Sequence, residues 1–119
     1  MQREKGKRGE LEAVALLRRI FPDVRSKRAG GETLSVDRGR DLLDTPGYAF
    51  QVKLTARPQP LAALAEARGA AHHREVPVAL VRESRPGIRD ARMVAVMYAD
   101  DFVRMVELQK ALVPAKVGG

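Results

Sequence analysis

An α/β domain with the element order αβββαββα is predicted, its helices flanking a central mixed β-sheet. Three observations lead there. Stretches with helical apolar spacing stand near both ends of the chain, and an Ala-rich one lies in the middle. Between them, "YAFQVKLT" and "VPVALVRE" read as strands. The length of 119 residues and an apolar content of 45% suit a single domain over 1–119 with a core of its own.

The first helix is expected from about Glu4 to Ile20. Ala13, Val14, Leu17, Ile20 and Phe21 recur at helical spacing, Leu16 widens the stripe, and Pro22 stops it. "DVRS" suits a short strand, and residues 27–39 read as a polar, Gly-containing loop. "RDLLD", "TPG" and "YAFQVKLT" read as a β-hairpin, closed by Pro58 and Pro60. Residues 61–73 form an Ala-rich helix ending in His72 and His73, which read as helix-end cations. "VPVALVRE" and "MVAVMYA" are strands. Asp100 or Asp101 then caps a last helix whose Phe102, Met105, Val106 and Leu112 form one stripe, before a frayed tail over 113–119.

Composition narrows the function. Twenty-two Lys and Arg against fifteen Asp and Glu leave a charge of +7, so the expected partner is a polyanion, nucleic acid being the commonest. With no Cys, disulfides and thiolate metal sites are excluded. No long apolar run predicts a membrane span and no signal-peptide pattern follows the basic N-terminus, so a cytoplasmic protein is expected.

The hairpin holds the candidate chemistry. With Thr45, Pro46 and Gly47 as a three-residue loop, Asp41 faces Gln51 and Leu42 faces Phe50. Asp41, Gln51 and Lys53 then share one polar surface, while Leu42, Phe50 and Val52 enter the core. A one-residue slip would reverse Asp41. An Asp and an amide oxygen are hard ligands of the kind Mg²⁺ takes. A Lys two residues on can polarise water or steady a phosphate. Glu10 shares its helix face with Ala13, Val14 and Leu17 and so sits at the edge of the buried stripe. A first-turn Glu favoured by the helix dipole is the simpler account of that position. Glu12 lies nearer Ala15, Leu16 and Arg19 and is the weaker candidate.

These residues resemble the PD-(D/E)XK nuclease superfamily, and within it the archaeal-type Holliday junction resolvases and related small phage endonucleases. "KGKRGELEAVALLRR" is similar to their first helix, with Glu10 at its acidic position. "GRDLLDTPGYAFQVK" is similar to their catalytic hairpin, with Asp41 at the first metal-ligand position and Lys53 at the lysine. Most members have Glu where this chain has Gln51, although Mrr-like restriction endonucleases carry Gln there. On the helix after the lysine strand, where members often have Gln, this chain offers Glu66.

The resemblance implies a restriction-endonuclease-like fold. It implies a site in which Glu10, Asp41, Gln51 and the backbone carbonyl of Val52 hold Mg²⁺, with Mn²⁺ able to substitute, and Lys53 assists the attacking water. It further implies DNA contacts from a mobile loop after helix 1, for which "RSKRAGGETLS" has the composition: Arg25, Lys27 and Arg28 for phosphates, Ser26 or Ser35 as a polar contact. Lys5, Lys7 and Arg8 of the basic first helix are further DNA-binding candidates. The expected activity is metal-dependent, structure-selective cleavage of DNA, with four-way junctions as substrate and a homodimer as the cutting unit. The alternatives are a restriction- or repair-type nuclease acting on duplex DNA, and a non-catalytic DNA-binding module that lost activity at Gln51.

Overall fold

The computed structural model describes residues 2–27, 40–88 and 91–112, with side chains from Lys7 onward. Among them the elements are α1 (Gln2–Leu17), β1 (Arg25–Ser26), β2 (Leu42–Leu43), β3 (Tyr48–Thr55), α2 (Pro60–Ala70), β4 (Val76–Glu83), β5 (Val94–Val96) and α3 (Ala99–Leu112). Among the described residues the elements follow the expected order αβββαββα. The loop assigned to 27–39 lies outside the described residues from Arg28 onward, as does the tail 113–119.

β3, β4 and β5 form a mixed three-stranded sheet in that order. β3 and β4 run parallel, with Tyr48 opposite Val76 and Thr55 opposite Glu83, and β5 closes the edge antiparallel to β4. A parallel pair needs a crossover, and α2 supplies it. Pro60 starts α2 at a position where its missing N–H costs nothing. So Pro60 begins a helix, and β3 has already ended at Thr55.

The two faces of the sheet have different coverings. On one, Ala13, Val14 and Leu17 of α1 pack with Val24, Leu42, Phe50, Val52, Val78 and Leu80. On the other, Ala63 and Leu64 of α2 pack on Ala79 and Val81. Gly9 permits the close approach of α1, since a Cβ there would stand 3.2 Å from the Leu54 Cβ. Phe21, Tyr48 and Phe50 pack as a cluster of rings, with centroids 5.7–6.0 Å apart.

Several expectations need correction. The strands form two sheets: β2 pairs antiparallel with β1, Arg25 opposite Leu43, and makes no ladder with β3. The connection before β3 is not a three-residue hairpin loop. Tyr48 N–H donates to the Thr45 carbonyl at 3.0 Å, with Pro46 and Gly47 in the middle and Gly47 at φ +87. That is a turn with Pro second and a left-handed Gly third. Asp44 also takes a left-handed φ of +63, and its carboxylate is held by Arg25 at 2.7 Å. α1 ends at Leu17, three residues earlier than expected, and leaves Leu16 and Ile20 exposed. α2 ends at Ala70, so His72 and His73 follow the helix and do not terminate it. β5 spans three residues, shorter than "MVAVMYA". α3 begins at Ala99, so Asp100 and Asp101 lie in its first turn and do not cap it, and Phe102, Met105 and Leu112 of its apolar stripe are left exposed.

Candidate metal and nucleic-acid site

Asp41 precedes β2 and is tied to the middle of β3 by two hydrogen bonds. Its N–H donates to the Phe50 carbonyl at 3.1 Å, and its Oδ2 accepts the Val52 N–H at 2.8 Å. The two contacts straddle Gln51. Arg40, one residue earlier, anchors this segment from the other side: its guanidinium forks onto both Glu75 oxygens at 2.6 and 3.0 Å and donates to the Ala70 carbonyl at the end of α2. Such a fork is geometrically specific. Burial works to raise the Glu75 pKa, but hydrogen bonds from Arg40 and the His72 N–H, with their charges, outweigh it and hold the carboxyl below its ordinary range.

Glu10 is buried, at 3% exposure, and its Oε1 accepts the Ser26 hydroxyl at 2.9 Å. Position on the helix left Glu10 explicable by the helix dipole; the fold turns it inward toward β1. Asp41 feels it. Burial raises the Asp41 pKa most, the Val52 N–H opposes this, the Glu10 charge raises it further, and the Lys27 and Lys53 charges lower it. The net shift is upward. The Glu10 charge opposes ionisation of Asp41, and a bound cation would relieve that repulsion.

Gln51 and Lys53 do share a face, but that face is covered by α2 and not open to solvent as an ordinary polar surface. Gln51 is 7% exposed. Its Nε2 donates to Glu66 Oε1 at 3.2 Å, and the same oxygen lies 3.0 Å from Lys53 Nζ. Gln51 Oε1 is buried and accepts no hydrogen bond. A groove of about 220 Å³ opens beside Lys53 and Glu66 and runs past Thr55 and Arg57. A larger pocket of about 460 Å³ between the end of α2 and the start of α3 includes Arg68, His72, Tyr98 and Asp101 and none of the expected site residues.

The donor set can be tested against a divalent cation. Among the described residues no three His, Cys, Asp or Glu side chains are grouped to hold a metal ion. A cation therefore needs an additional oxygen beyond Glu10 and Asp41, and the partnerless Gln51 Oε1 has the right chemistry. Hard oxygens, completed by water and substrate phosphate, suit Mg²⁺. Val52 enters the site through its N–H, which donates to Asp41 Oδ2.

The other expected residues divide. Lys7 and Arg8 are exposed on α1, and Arg8 donates to Ser84 Oγ at 3.5 Å. The Lys5 side chain, Arg28 and Ser35 lie outside the described residues. Arg25 is engaged with Asp44, and Lys27 is half-buried, its N–H donating to the Asp41 carbonyl at 3.2 Å. Ser26, expected as a polar contact to DNA, is buried and donates to Glu10 instead. Sequence reasoning missed Arg40, Glu75 and Arg57, and it named Glu66 without a role. Only the resemblance, through the position where members often have Gln, pointed toward Glu66.

Among the described residues no helix is long and apolar enough to cross a membrane. No protein-family model, curated protein or solved structure matches the chain.

Proposed function

We propose that the protein is a Mg²⁺-dependent endodeoxyribonuclease, with four-way DNA junctions as its substrate. One observation carries this reading: Asp41 is pinned across Gln51 on β3, with the buried Glu10 and Lys53 both in electrostatic range of its carboxylate. Glu10, Asp41 and Gln51 Oε1 hold the cation, with the Val52 carbonyl as a further oxygen. When bound, the cation supplies Lewis-acid stabilisation of the phosphate and a more acidic water. Lys53 then places its ammonium against the charge that develops on the phosphate oxygens. Asp41 must give up its proton before the cation is held, and its raised pKa makes this step sensitive to pH.

The DNA partner is supported by the net charge of +7 and by exposed Lys7, Arg8 and Arg57. A second copy of the chain is supported by α3, whose Phe102, Met105, Leu108 and Leu112 are exposed. A C2 pair would cover that face and set two sites against the two strands of a junction. The neutral Gln51 favours the other reading, a DNA-binding module without activity.

Cleavage of labelled junction, linear duplex and single strands with and without Mg²⁺ tests the proposal, alongside sedimentation of the free protein. Paired cuts in the junction by a dimer are expected. Preferred cutting of linear duplex would replace the junction reading with a restriction- or repair-type one. Junction binding with no cutting under any divalent ion would leave only the binding module.

A further inference from the structure

Glu66 touches both polar side chains of the Gln51–Lys53 pair through a single oxygen, Oε1, at 3.2 Å from Gln51 Nε2 and 3.0 Å from Lys53 Nζ. A glutamine amide has one donor end and one acceptor end, while an ionised carboxylate only accepts. The contact therefore decides which end of Gln51 faces α2: the nitrogen does. The oxygen is turned away from Glu66, and it is the atom left buried without a partner on a side chain only 7% exposed. A buried acceptor in that state opposes folding, because its lost hydration is not replaced. A cation bound there would offset the cost, because an amide oxygen is a hard donor.

We propose that Glu66 is a positioning residue of this cation site. It orients the Gln51 amide so that Oε1 is presented to the cation, and it brings to this side of the site the negative charge that a neutral Gln51 lacks. The inference rests on the metal-dependent reading above. A bland role is available for comparison. Lys53 and Glu66 are 41% and 49% exposed, and an ion pair at that exposure contributes little to stability. A pair with only that role would leave cation binding unmoved.

Calorimetric titration of the full chain with Mn²⁺ in the absence of DNA separates these roles, with thermal melts of each variant to establish that it is folded. Glu66→Ala, which removes the acceptor that holds Gln51 Nε2, is expected to melt close to the parent and to bind Mn²⁺ about 10–100-fold more weakly, the usual effect of losing a residue that orients a ligand. The exchange variant Gln51→Glu/Glu66→Gln keeps the net charge and reverses the hydrogen bond, donor for acceptor. It is expected to recover the affinity. Parent-like binding by Glu66→Ala overturns the role of Glu66 and leaves the metal reading standing. So does a folded exchange variant that stays weak. A parent that neither binds Mn²⁺ nor cuts DNA overturns the metal reading, and the inference falls with it.

Discussion

The carboxylate of Asp41 accepts the Val52 N–H at 2.8 Å, and burial still raises its pKa above that of an ordinary Asp. A pKa that is higher folded than unfolded means that ionising Asp41 opposes folding. The stability it contributes is full below the ordinary Asp pKa and is lost as pH rises through the folded value. Asp41→Asn keeps an oxygen for the Val52 N–H and removes the buried charge. This variant is expected to lose cation-dependent cleavage yet melt no lower than the parent at neutral pH without metal. A clearly lower melting temperature would mean that the charge of Asp41 supports the fold. Cleavage by the parent should also fail on the acid side at a pH above that set by an ordinary Asp, which a pH–rate profile reads directly.

Lys53→Ala is expected to abolish cleavage while DNA binding persists. Its ion pair with Glu66 is half-exposed, so stability should change by less than about 1 kcal/mol. Denaturant melts and a junction-binding titration would check this. Cleavage at the parent's rate would remove Lys53 from the chemistry.

Gln51→Glu is expected to lower the Mg²⁺ concentration needed for half-maximal cleavage, because it adds a negative charge at the ligand position. The structure adds a cost. Glu66 Oε1 lies 3.2 Å from Gln51 Nε2, so without metal two carboxylates would confront each other there. The metal-free variant should melt lower than the parent, and Mg²⁺ should raise its melting temperature by more than it raises the parent's. A Glu variant that needs as much Mg²⁺ as the parent would exclude Gln51 as a ligand.

Replacing Lys27 and Arg28 with Ala is expected to weaken DNA binding. It should also flatten the salt dependence by roughly 0.9 in slope for each DNA phosphate that is no longer neutralised. The titration should be run without divalent ions, because the Lys27 charge also lowers the Asp41 pKa. An unchanged slope would separate this segment from DNA.

Arg40→Ala should destabilise the fold by about 2–3 kcal/mol, the scale for hydrogen bonds to a charged group, because it breaks the half-buried fork on Glu75. The Glu75 pKa is lower folded than unfolded. Its stabilisation is therefore present above the ordinary carboxylate pKa and lost as pH falls through the folded value. Acid unfolding of Arg40→Ala should accordingly be less steep over that window, as melts across pH would record.

The local features of this protein were legible in its sequence. "VPVALVRE" is β4 from its first residue to its last, and the αβββαββα order follows from apolar periodicity and from Pro and Gly positions. Gly47 takes the left-handed backbone that its place at the end of the expected three-residue loop suggested, although the turn itself differs. Backbone propensity and side-chain alternation act over a few neighbouring residues, so a short window contains the information. Partners from separate elements depend on packing. β2 turns to β1 and not to β3, so the expected hairpin ladder is absent even though Asp41 still reaches Val52. Burial of Glu10 depends on the close seating of α1 at Gly9 and on Ser26 arriving from β1. The meeting of Glu66 with Gln51 and Lys53 depends on where α2 lies across β3. Helical spacing marked an apolar stripe on α3, but whether a stripe becomes core depends on what packs over it, and within this chain α3 buries none of its residues.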